Sequence, residues 1–434
     1  MAARLTFALL LPATLAAAPT FHKDVEPLLQ KHCQGCHRPG EAAPFSLLTY
    51  KDSRPWAKAI RAAVTTRKMP PWFADPAHGN FANDPRLSPK DIQTLQAWAD
   101  AGAPAGNPAE APPPLKFADG WKIGTPDLIV EIPSAYPIPA KGTIPYIWLA
   151  ADPKLTEDRW IEKIEVRPGE RSVVHHALVF ARHPNSKFRP DLQPGDAKPA
   201  VEPARTSDRP QSSRGAFLLG GGGNAEMIVD YVPNGDPFIA PPNHARLLPA
   251  GSHILFQMHY TAMGRETTDR TRIGIVFAKN KPTHRIVNDA ILNTSIRIPP
   301  GAPDHAAEAI VTIHHDTKIG AFGPHMHVRG KAMKAELLRE GAAPVTLLDV
   351  PNYDFNWQLK YQPAGFVDVR KGDQLKITAR WDNSPNNKYN PDPAKEVFWG
   401  DQSWSEMLFW FFDYVVPVDV PPSAVTRPLR AQRN

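Results

Sequence analysis

Two histidines one residue apart, His325 and His327, have a spacing that suits metal binding. In an extended strand, side chains two positions apart point to the same face, so the two imidazoles would stand side by side. Imidazole nitrogens are ligands for first-row transition metals. Two solvated histidines beside a turn would give the same pattern, and Gly323-Pro324 and Gly330 flank this pair. The metal interpretation therefore requires further ligands from elsewhere in the chain.

The segment Cys33-Gln34-Gly35-Cys36-His37 has the spacing of a c-type haem attachment motif, and it contains both cysteines of the chain. The thiols of Cys33 and Cys36 would add across the haem edge, and His37 would be the proximal iron ligand. A thioredoxin-like site lacks its βαβ context here, and a zinc site lacks a second cysteine pair. The motif predicts one covalent haem c.

Met69 is the candidate for the second axial ligand, because no other methionine lies between the haem motif and the proline-rich stretch 103–114. Ligation by methionine and histidine raises the potential of a haem. Helical segments are predicted on both sides, over 53–66 and over 88–101, so Met69 would lie in a rigid Pro-Pro loop. A buried core methionine is the alternative interpretation.

Three further histidines and a methionine lie in strand-like contexts. His175 and His176 are adjacent within an apolar stretch, where burying two imidazoles is costly unless both are satisfied. Adjacent strand residues face opposite sides, so a shared metal would require a local twist or the use of different ring nitrogens. His259 lies in a second apolar strand, with His253 as a substitute nearer a turn. Met407 opens an aromatic strand, and a thioether favours Cu(I).

The elements that must position these residues change along the chain. Residues 1–18 combine Arg4, an apolar run and small residues, which predicts a secretory signal peptide cleaved after residue 17 or 18; a buried N-terminal helix is the alternative. Residues 19–106 form the predicted helical haem domain, and 107–120 form a linker stiffened by proline. The glycine run 220–223 lacks the Lys-Ser/Thr of a phosphate loop and is predicted to be a flexible loop.

From residue 121 the chain consists of short alternating segments separated by Pro, Gly and Asn, which predicts antiparallel strands, among them 253–260 and 272–277. About 300 residues of this kind suggest two β-sandwiches, placed at 121–280 and 281–420 and followed by a tail at 421–434. The predicted fold is multidomain, with a small all-α domain before two all-β antiparallel sandwiches.

Composition narrows the class of protein. The 49 prolines in 434 residues are about twice the usual share and argue against a helical bundle. A net charge of +6, without a basic run, gives no reason to expect a nucleic-acid partner. No stretch after the signal segment is long and apolar enough for a transmembrane helix. With the haem motif, these features predict a periplasmic or secreted protein.

Two known families resemble parts of this sequence. Residues 20–106 resemble small bacterial cytochrome c domains with a Met-Pro-Pro-Trp ligand loop. Residues 121–418 resemble the copper type II, ascorbate-dependent monooxygenases, the family of peptidylglycine α-hydroxylating monooxygenase and dopamine β-monooxygenase. The four matching segments, in family order, are His175-His176-Ala177-Leu178-Val179-Phe180, Gln257-Met258-His259-Tyr260, His325-Met326-His327-Val328-Arg329-Gly330-Lys331 and Gly400-Asp401-Gln402-Ser403-Trp404-Ser405-Glu406-Met407.

The resemblance to the monooxygenases implies two jelly-roll-like sandwich domains, each with one copper ion, on opposite sides of a solvent-filled cleft. It implies that His175, His176 and His259 hold an electron-transfer copper. It implies that His325, His327 and Met407 hold the copper that activates O₂ for hydroxylation of a C–H bond in a small-molecule substrate. Ascorbate is the reductant that the resemblance suggests.

Three positions depart from the family pattern. Peptidylglycine-type enzymes carry Asn and Tyr two and four residues after the ligand methionine, where this chain has Phe409 and Phe411, and an Arg at the position of Gly323. The anchor for a peptide carboxylate is missing, so an apolar or aromatic substrate is expected. The fused haem suggests that electrons reach the copper at His175, His176 and His259 from a periplasmic donor through the haem. The alternatives are a haem and copper electron-transfer protein, or a copper-binding module with a haem sensor, neither with oxygenase activity.

Overall fold

A computed structural model of the chain describes residues 18–41, 43–117, 120–200, 216–218, 225–233 and 235–426. The predicted signal peptide lies outside the described residues apart from Ala18, as do the glycine run 220–223 and the end of the predicted tail from residue 427. The chain divides into two compact units. Unit 1 comprises the chain up to Pro71 together with Pro85–Lys116, and unit 2 comprises Trp72–Asp84 and the chain from Phe117 onward.

Unit 1 is helical and packs around Phe21, Leu29, Leu95 and Trp98. Its elements are a π-helical turn Phe21–Val25, α1 (Glu26–His32), α2 (Tyr50–Ser53), a 3₁₀ turn Arg54–Trp56, α3 (Ala57–Thr65), α4 (Pro89–Asp100) and a 3₁₀ turn Pro108–Glu110. The helix predicted over 88–101 is confirmed. Its first turn is closed by a capping box, in which the Ser88 hydroxyl accepts the Asp91 N–H and the Asp91 carboxylate accepts the Ser88 N–H.

Unit 2 is built from strands, and a short helix follows the last of them. The strands of its first part are β1 (Leu128–Glu131), β2 (Tyr136–Ile138), β3 (Ile147–Ala151), β4 (Arg159–Arg167), β5 (Val174–Arg182), β6 (Ala197–Pro199), β7 (Ala216–Leu218), β8 (Ala225–Tyr231), β9 (Phe238–Ile239), β10 (His244–Leu248), β11 (His253–Tyr260), β12 (Thr267–Asp269) and β13 (Arg272–Phe277). The remaining elements are β14 (His284–Asn293), β15 (Arg297–Ile298), β16 (His305–Thr312), β17 (Thr317–His325), β18 (Gly330–Leu338), β19 (Val345–Val350), β20 (Val367–Val369), β21 (Gln374–Trp381), β22 (Val397–Phe398), β23 (Phe409–Pro417) and α5 (Ser423–Thr426).

Three sheets carry most of these strands. One has the order β6-β3-β11-β5-β8, and another has the order β16-β21-β18-β19. The largest runs β1-β13-β4-β10-β14-β23-β17-β20 and spans both predicted sandwiches. Its two halves meet where β10 and β14 pair in parallel, whereas the other strand pairs of these described sheets are antiparallel. The predominantly antiparallel β architecture expected for this region is confirmed.

Buried ion pairs connect the two parts of unit 2. Arg246 on β10 donates to the Asp413 carboxylate on β23 at 2.8 Å, and Arg285 on β14 donates to Glu226 on β8 at 2.6 Å. All four side chains are buried. Removing one partner of such a pair would leave an uncompensated buried charge, which is strongly destabilising. These pairs therefore favour one arrangement of the two halves.

The segment Trp72–Asp84 interrupts unit 1 in sequence but packs within unit 2. The Trp72 ring lies 4.7 Å from the Tyr361 ring, measured between centroids, and both belong to a large core of unit 2. A backbone hydrogen bond also holds the segment, because the Ala82 N–H donates to the Gln362 carbonyl at 2.8 Å. The predicted haem domain of residues 19–106 thus contains thirteen residues that form part of the β unit.

Among the described residues, no helix combines the length and the apolar composition needed to cross a membrane.

Candidate metal centre

A β-bulge allows the adjacent residues His175 and His176 to contribute to the same cluster, although neighbouring residues of a regular strand face opposite sides. In the antiparallel pair of β5 and β11, His176 lies opposite His259, but the next pair joins Val174 to Tyr260. His175 is therefore the extra residue of a bulge, which bends the strand and re-aims a side chain. The centroid of the His175 ring lies 5.4 Å from that of His176 and 4.8 Å from that of His259. Both members of the adjacent pair reach one cluster.

His175, His176 and His259, called here the three-histidine cluster, each offer one ring nitrogen within 4.8 Å of the others. Among the described residues, Nε2 of His175, Nε2 of His176 and Nδ1 of His259 are buried without a hydrogen-bond partner. A buried nitrogen without a partner is costly unless a ligand compensates it. Nδ1 of His175 and Nδ1 of His176 lie 3.1 Å apart, and a convergence of ring nitrogens from three imidazoles fits a metal ion.

His325, His327 and Met407, called here the histidine–methionine cluster, come from the ends of β17 and β23. These strands are antiparallel partners in which His325 lies opposite Phe409. His327 lies two residues after His325, and Met407 lies two residues before Phe409. The rings of His325 and His327 are 5.2 Å apart between centroids and perpendicular. The strand pairing thus brings together two segments about 80 residues apart in sequence.

Hydrogen bonds set which nitrogen of each imidazole faces the centre. His325 Nδ1–H donates to Gln358 Oε1 at 2.7 Å, and His327 Nδ1–H donates to the Ser405 carbonyl at 3.1 Å. Nε2 of His327 is buried without a hydrogen-bond partner among the described residues. Metal-ligating histidines commonly donate their second N–H to a carbonyl or amide oxygen in this way, which fixes the ring orientation.

Glu406 holds the backbone of this cluster. Its carboxylate accepts the His327 N–H at 2.9 Å and the Arg329 N–H at 2.6 Å, and the Trp381 indole N–H at 3.0 Å. The side chain is fully buried, and burial raises the pKa of Glu406 to about 7 although the backbone N–H groups of His327 and Arg329 act in the opposite direction. Glu406 also immediately precedes Met407. One carboxylate thus joins the His-x-His segment to the methionine segment.

The two clusters lie next to each other. The ring centroids of His176 and His325 are 6.3 Å apart. Tyr146 stands between them, with its ring 4.5 Å from that of His259 and 6.3 Å from that of His327. The family resemblance implies a solvent-filled cleft between the two sites, but here an aromatic ring and direct histidine packing occupy the boundary.

Burial keeps the histidines of both clusters neutral at neutral pH. It lowers the pKa of His175 and of His325 to about 4 and that of His327 to about 3. The pKa values of His176 and His259 lie well below the ordinary 6.5 because of burial and the neighbouring histidines. A neutral imidazole is the form that coordinates a metal, so the clusters need no deprotonation before they bind one.

A cavity of about 510 Å³ opens onto His325 and Met407. Aromatic side chains dominate its walls, and they are Tyr146, Trp148, Phe180, Phe188, Trp399, Phe409 and Phe411. Polar and charged side chains also line it, and they are Lys187, Gln257, Asn288, Asp289, Thr294 and Asp401. This volume is typical of a pocket for a small organic ligand, with mostly apolar walls and few polar groups. None of the three-histidine cluster is among the described residues that line it.

The residues that differ from the pattern of peptidylglycine-type enzymes, Gly323, Phe409 and Phe411, are neighbours in the structure. Gly323 lies opposite Phe411 in the sheet, and a Cβ at Gly323 would lie only 3.2 Å from the Phe411 Cβ. Phe411 in turn packs on Phe409, with ring centroids 4.4 Å apart. A bulky residue such as Arg at position 323 would crowd this aromatic pair. The local structure therefore favours an apolar wall where peptidylglycine-type enzymes have a polar anchor.

In unit 1 the predicted haem residues lie in a tight turn after α1. The N–H groups of Cys36 and His37 both donate to the Cys33 carbonyl, at 3.1 and 2.9 Å. His37 Nδ1–H donates to the Phe45 carbonyl at 3.3 Å, which orients Nε2 as the available ligand atom. Burial, and to a lesser degree Cys36, raises the pKa of Cys33 to about 12, unlike the low pKa of a redox-active CxxC thiol. This pKa disfavours a redox-active dithiol, and haem attachment stays a prediction.

Met69 is half-buried on the loop after α3, where its N–H is 3.4 Å from the Ala63 carbonyl. Its role as an axial ligand remains a prediction.

Sequence reasoning missed several residues of the centre. Tyr146 and Phe355 pack on both clusters, with the Phe355 ring stacked on His175 at 5.3 Å and 6.2 Å from the His327 ring. Gln358 and Glu406 orient the second cluster. Glu406 had a detectable signal, since it is an acidic residue directly before the candidate ligand Met407. Tyr146, Phe355 and Gln358 carry no local pattern that would identify them.

Comparison with known proteins adds little to this picture. No family model and no curated protein matches the chain. Among solved structures, the major capsid protein P2 of bacteriophage PM2 aligns over 67% of this chain and 98% of its own, with 8% identity and a TM-score of 0.26. A structure of infectious bursal disease virus, Gx strain, aligns over 72% and 77%, with 8% identity and a TM-score of 0.17. Similarities this weak carry no argument about fold or function.

Proposed function

We propose that this chain is an exported copper-dependent monooxygenase that hydroxylates a C–H bond of a small apolar substrate with O₂. The observation that carries the proposal is the pair of adjacent donor clusters, one with three imidazoles and one with two imidazoles and a thioether beside an aromatic cavity. Thioether sulfur is a soft ligand that favours Cu(I), and imidazole suits copper as well. In this proposal the β region forms two jelly-roll-like sandwich domains.

Two copper ions would supply the two electrons that reduction of O₂ during hydroxylation requires, since each ion changes its charge by one. His175, His176 and His259 would hold the electron-transfer ion in an enclosed, all-nitrogen set. His325, His327 and Met407 would hold the other ion where the cavity opens. The protein keeps all five imidazoles neutral by burial and orients His325 and His327 through Gln358 and Ser405.

The walls of the cavity define the substrate class. Phe409 and Phe411 stand beside the His325 ring, each with its centroid 6.3 Å away. Burying an apolar body against such aromatic rings is favourable. A substrate with an apolar or aromatic body and few polar groups therefore fits, whereas a free terminal carboxylate would find no arginine at position 323.

The haem is the proposed electron source. Cys33, Cys36, His37 and Met69 would hold one haem c in a cytochrome c domain, and His37 is already oriented by the Phe45 carbonyl. Covalent haem attachment of this kind takes place outside the cytoplasm, in agreement with the predicted signal peptide. A donor protein in the periplasm would then reduce the haem, and ascorbate would be an alternative reductant for the copper ions.

The test of oxygenase activity is a substrate screen under ¹⁸O₂. Copper-loaded, haem-loaded protein is incubated with ascorbate and a panel of apolar and aromatic compounds, and products are analysed by mass spectrometry. A product heavier by one ¹⁸O atom, absent without copper, is expected. If no compound gains ¹⁸O and O₂ is not consumed with any reductant, the chain is an electron-transfer or copper-binding protein instead.

The electron route needs a separate test. The reduced haem protein, with both copper ions bound, is mixed with O₂ and substrate in a stopped-flow instrument without ascorbate. Oxidation of the haem at the rate of product formation is expected. If product forms with an external donor while the haem stays reduced, the haem does not supply the electrons, although the oxygenase proposal would stand.

A further inference from the structure

A second group of metal-ligating side chains lies in unit 2, outside both clusters of the candidate centre. Asp75, His78 and Asp349 each offer one ligand atom, and these atoms all lie within 4.8 Å of one another. Asp75 and His78 belong to the segment 72–84, and Asp349 belongs to β19, so about 270 residues separate them in sequence. All three side chains are partly buried.

The backbone holds these three residues in place. The Asp75 N–H donates to the Asp349 carbonyl at 2.8 Å, and the His78 N–H donates to the Asp75 carbonyl at 3.1 Å. The next residue, Gly79, has a φ of +76°, and a Cβ there would lie 3.1 Å from the Leu347 carbonyl oxygen. Only a glycine accommodates this close approach to β19 without strain. The three side chains are therefore presented by a fixed turn against a strand.

The charge of the two carboxylates is not balanced by an ion pair. Among the described residues, no lysine or arginine lies within ion-pair distance of Asp75 or Asp349. Lys334 is the cross-strand neighbour of Asp349, but its ammonium pairs with Glu336 at 2.9 Å. Burial raises the pKa of Asp349, while Lys334 and His78 act against it and the nearby Asp75 carboxylate acts with it. A bound cation would offset the cost of burying this carboxylate beside Asp75.

We propose that Asp75, His78 and Asp349 bind a divalent metal ion of the zinc class, which fastens the segment 72–84 to β19. One imidazole and two carboxylates form a ligand set that zinc accepts, with water in the fourth position. Bonds of about 2.1 Å place tetrahedral donor atoms about 3.4 Å apart, so small side-chain rotations would close the present spacing. The site does not rest on the proposed oxygenase function.

The experiment uses the full chain with its haem and with both copper sites filled, so that added Zn²⁺ finds those sites occupied. Zinc bound after gel filtration is measured by elemental analysis, and affinity is measured by competition with a fluorescent chelator. One zinc per chain is expected, together with a rise in melting temperature, because a ligand that binds only the folded state stabilises it. His78→Gln and Asp349→Asn should each weaken zinc binding at least about tenfold, since loss of even a residue that only supports a ligand costs about that much.

Glu340→Gln is the matched control, because Glu340 is an exposed carboxylate between β18 and β19. It should bind zinc like the unmodified chain and show the same rise in melting temperature. The circular dichroism and copper EPR spectra of the variants establish that each one folds. The proposal is overturned if the copper-filled chain binds no zinc, or if both variants bind it as tightly as the control.

Discussion

The three-histidine cluster and the histidine–methionine cluster lie side by side, with the rings of His176 and His325 6.3 Å apart between centroids, yet they are built differently. The first uses a bulge in β5 and one residue of β11, so its ligands come from two neighbouring strands of one sheet. The second uses the ends of β17 and β23 and depends on Gln358, Ser405 and Glu406 for orientation. The large cavity meets only the second cluster among the described residues.

This difference fits the two roles that the proposed hydroxylation would require. An enclosed set of nitrogens suits an ion that only transfers electrons, whereas a set with a weak thioether ligand beside a cavity suits the ion that meets O₂ and substrate. The comparison therefore predicts that changes to each cluster have distinguishable consequences.

The largest effect is expected for Met407→Leu, which keeps the apolar volume but removes the sulfur ligand. Product formation should fall by at least about 100-fold. Loss of a residue that only supports a metal ligand costs up to about 100-fold, and loss of a direct ligand should cost no less. The EPR signal of the three-histidine cluster should remain. Met333→Leu is the control, because Met333 is a buried core methionine on β18. Equal activity of the two variants would remove Met407 from the site.

Gln358→Ala should have the next largest effect, because it removes the oxygen that accepts the His325 Nδ1–H. Loss of such a supporting hydrogen bond typically costs about 10–100-fold in metal affinity or activity. Copper affinity, measured by chelator competition, should fall for the second cluster alone. Gln362→Ala is the control, since Gln362 is exposed and lies four residues away. A loss of copper affinity at the three-histidine cluster instead would contradict the assignment of Gln358 to the second cluster.

Phe411→Ala should change substrate selectivity and leave both copper spectra as they are. The substitution enlarges the cavity beside His325, and a change in pocket size is typically worth about 10–200-fold in discrimination between substrates. The ratio of kcat/KM for a bulky and a small substrate should shift toward the bulky one. An unchanged ratio would place the substrate elsewhere.

The smallest effect is a dependence of stability on pH in the metal-free protein. The folded-state pKa values of His175, His325 and His327 are about 4, 4 and 3, below the 6.5 expected for the unfolded chain. Below about pH 6.5 the unfolded chain binds more protons, so stability is full above that pH and falls as the pH drops toward 4.

Calorimetry of the metal-free protein should therefore give a lower melting temperature at pH 5 than at pH 7.5. His176→Gln removes one buried imidazole and should reduce this difference. A melting temperature that rises on acidification would show that these histidines are not buried as neutral groups.

Much of the strand pattern could be predicted from sequence, because alternation of apolar residues is a local property. The bounds predicted for the strands at 253–260 and 272–277 agree with β11 and β13. No strand is predicted over β14, because Asn288 and Asp289 interrupt its apolar run. Asn288 is buried there because it donates to Asp413, a partner 125 residues away that no local pattern reveals.

The candidate site likewise has some features that are visible in the sequence and others that depend on distant contacts. The His-x-His spacing and the adjacent pair His175-His176 are visible as patterns, but the bulge that unites His175 with His176 depends on pairing with β11. The contribution of Tyr146 and the docking of the segment 72–84 into unit 2 are likewise set by distant contacts. The sequence therefore predicts which residues could bind a metal, whereas the pairing of the strands determines which of those residues lie together.

The most direct test of the account is copper content combined with X-ray absorption of the reduced, zinc-free protein. We expect two copper ions per chain and a copper–sulfur contribution equal to one sulfur for every two copper ions. The sulfur contribution should vanish in Met407→Leu and persist in His259→Gln, which should lose one copper ion. If the sulfur contribution is absent from the unmodified chain, or survives Met407→Leu, the assignment of two unlike copper sites is contradicted.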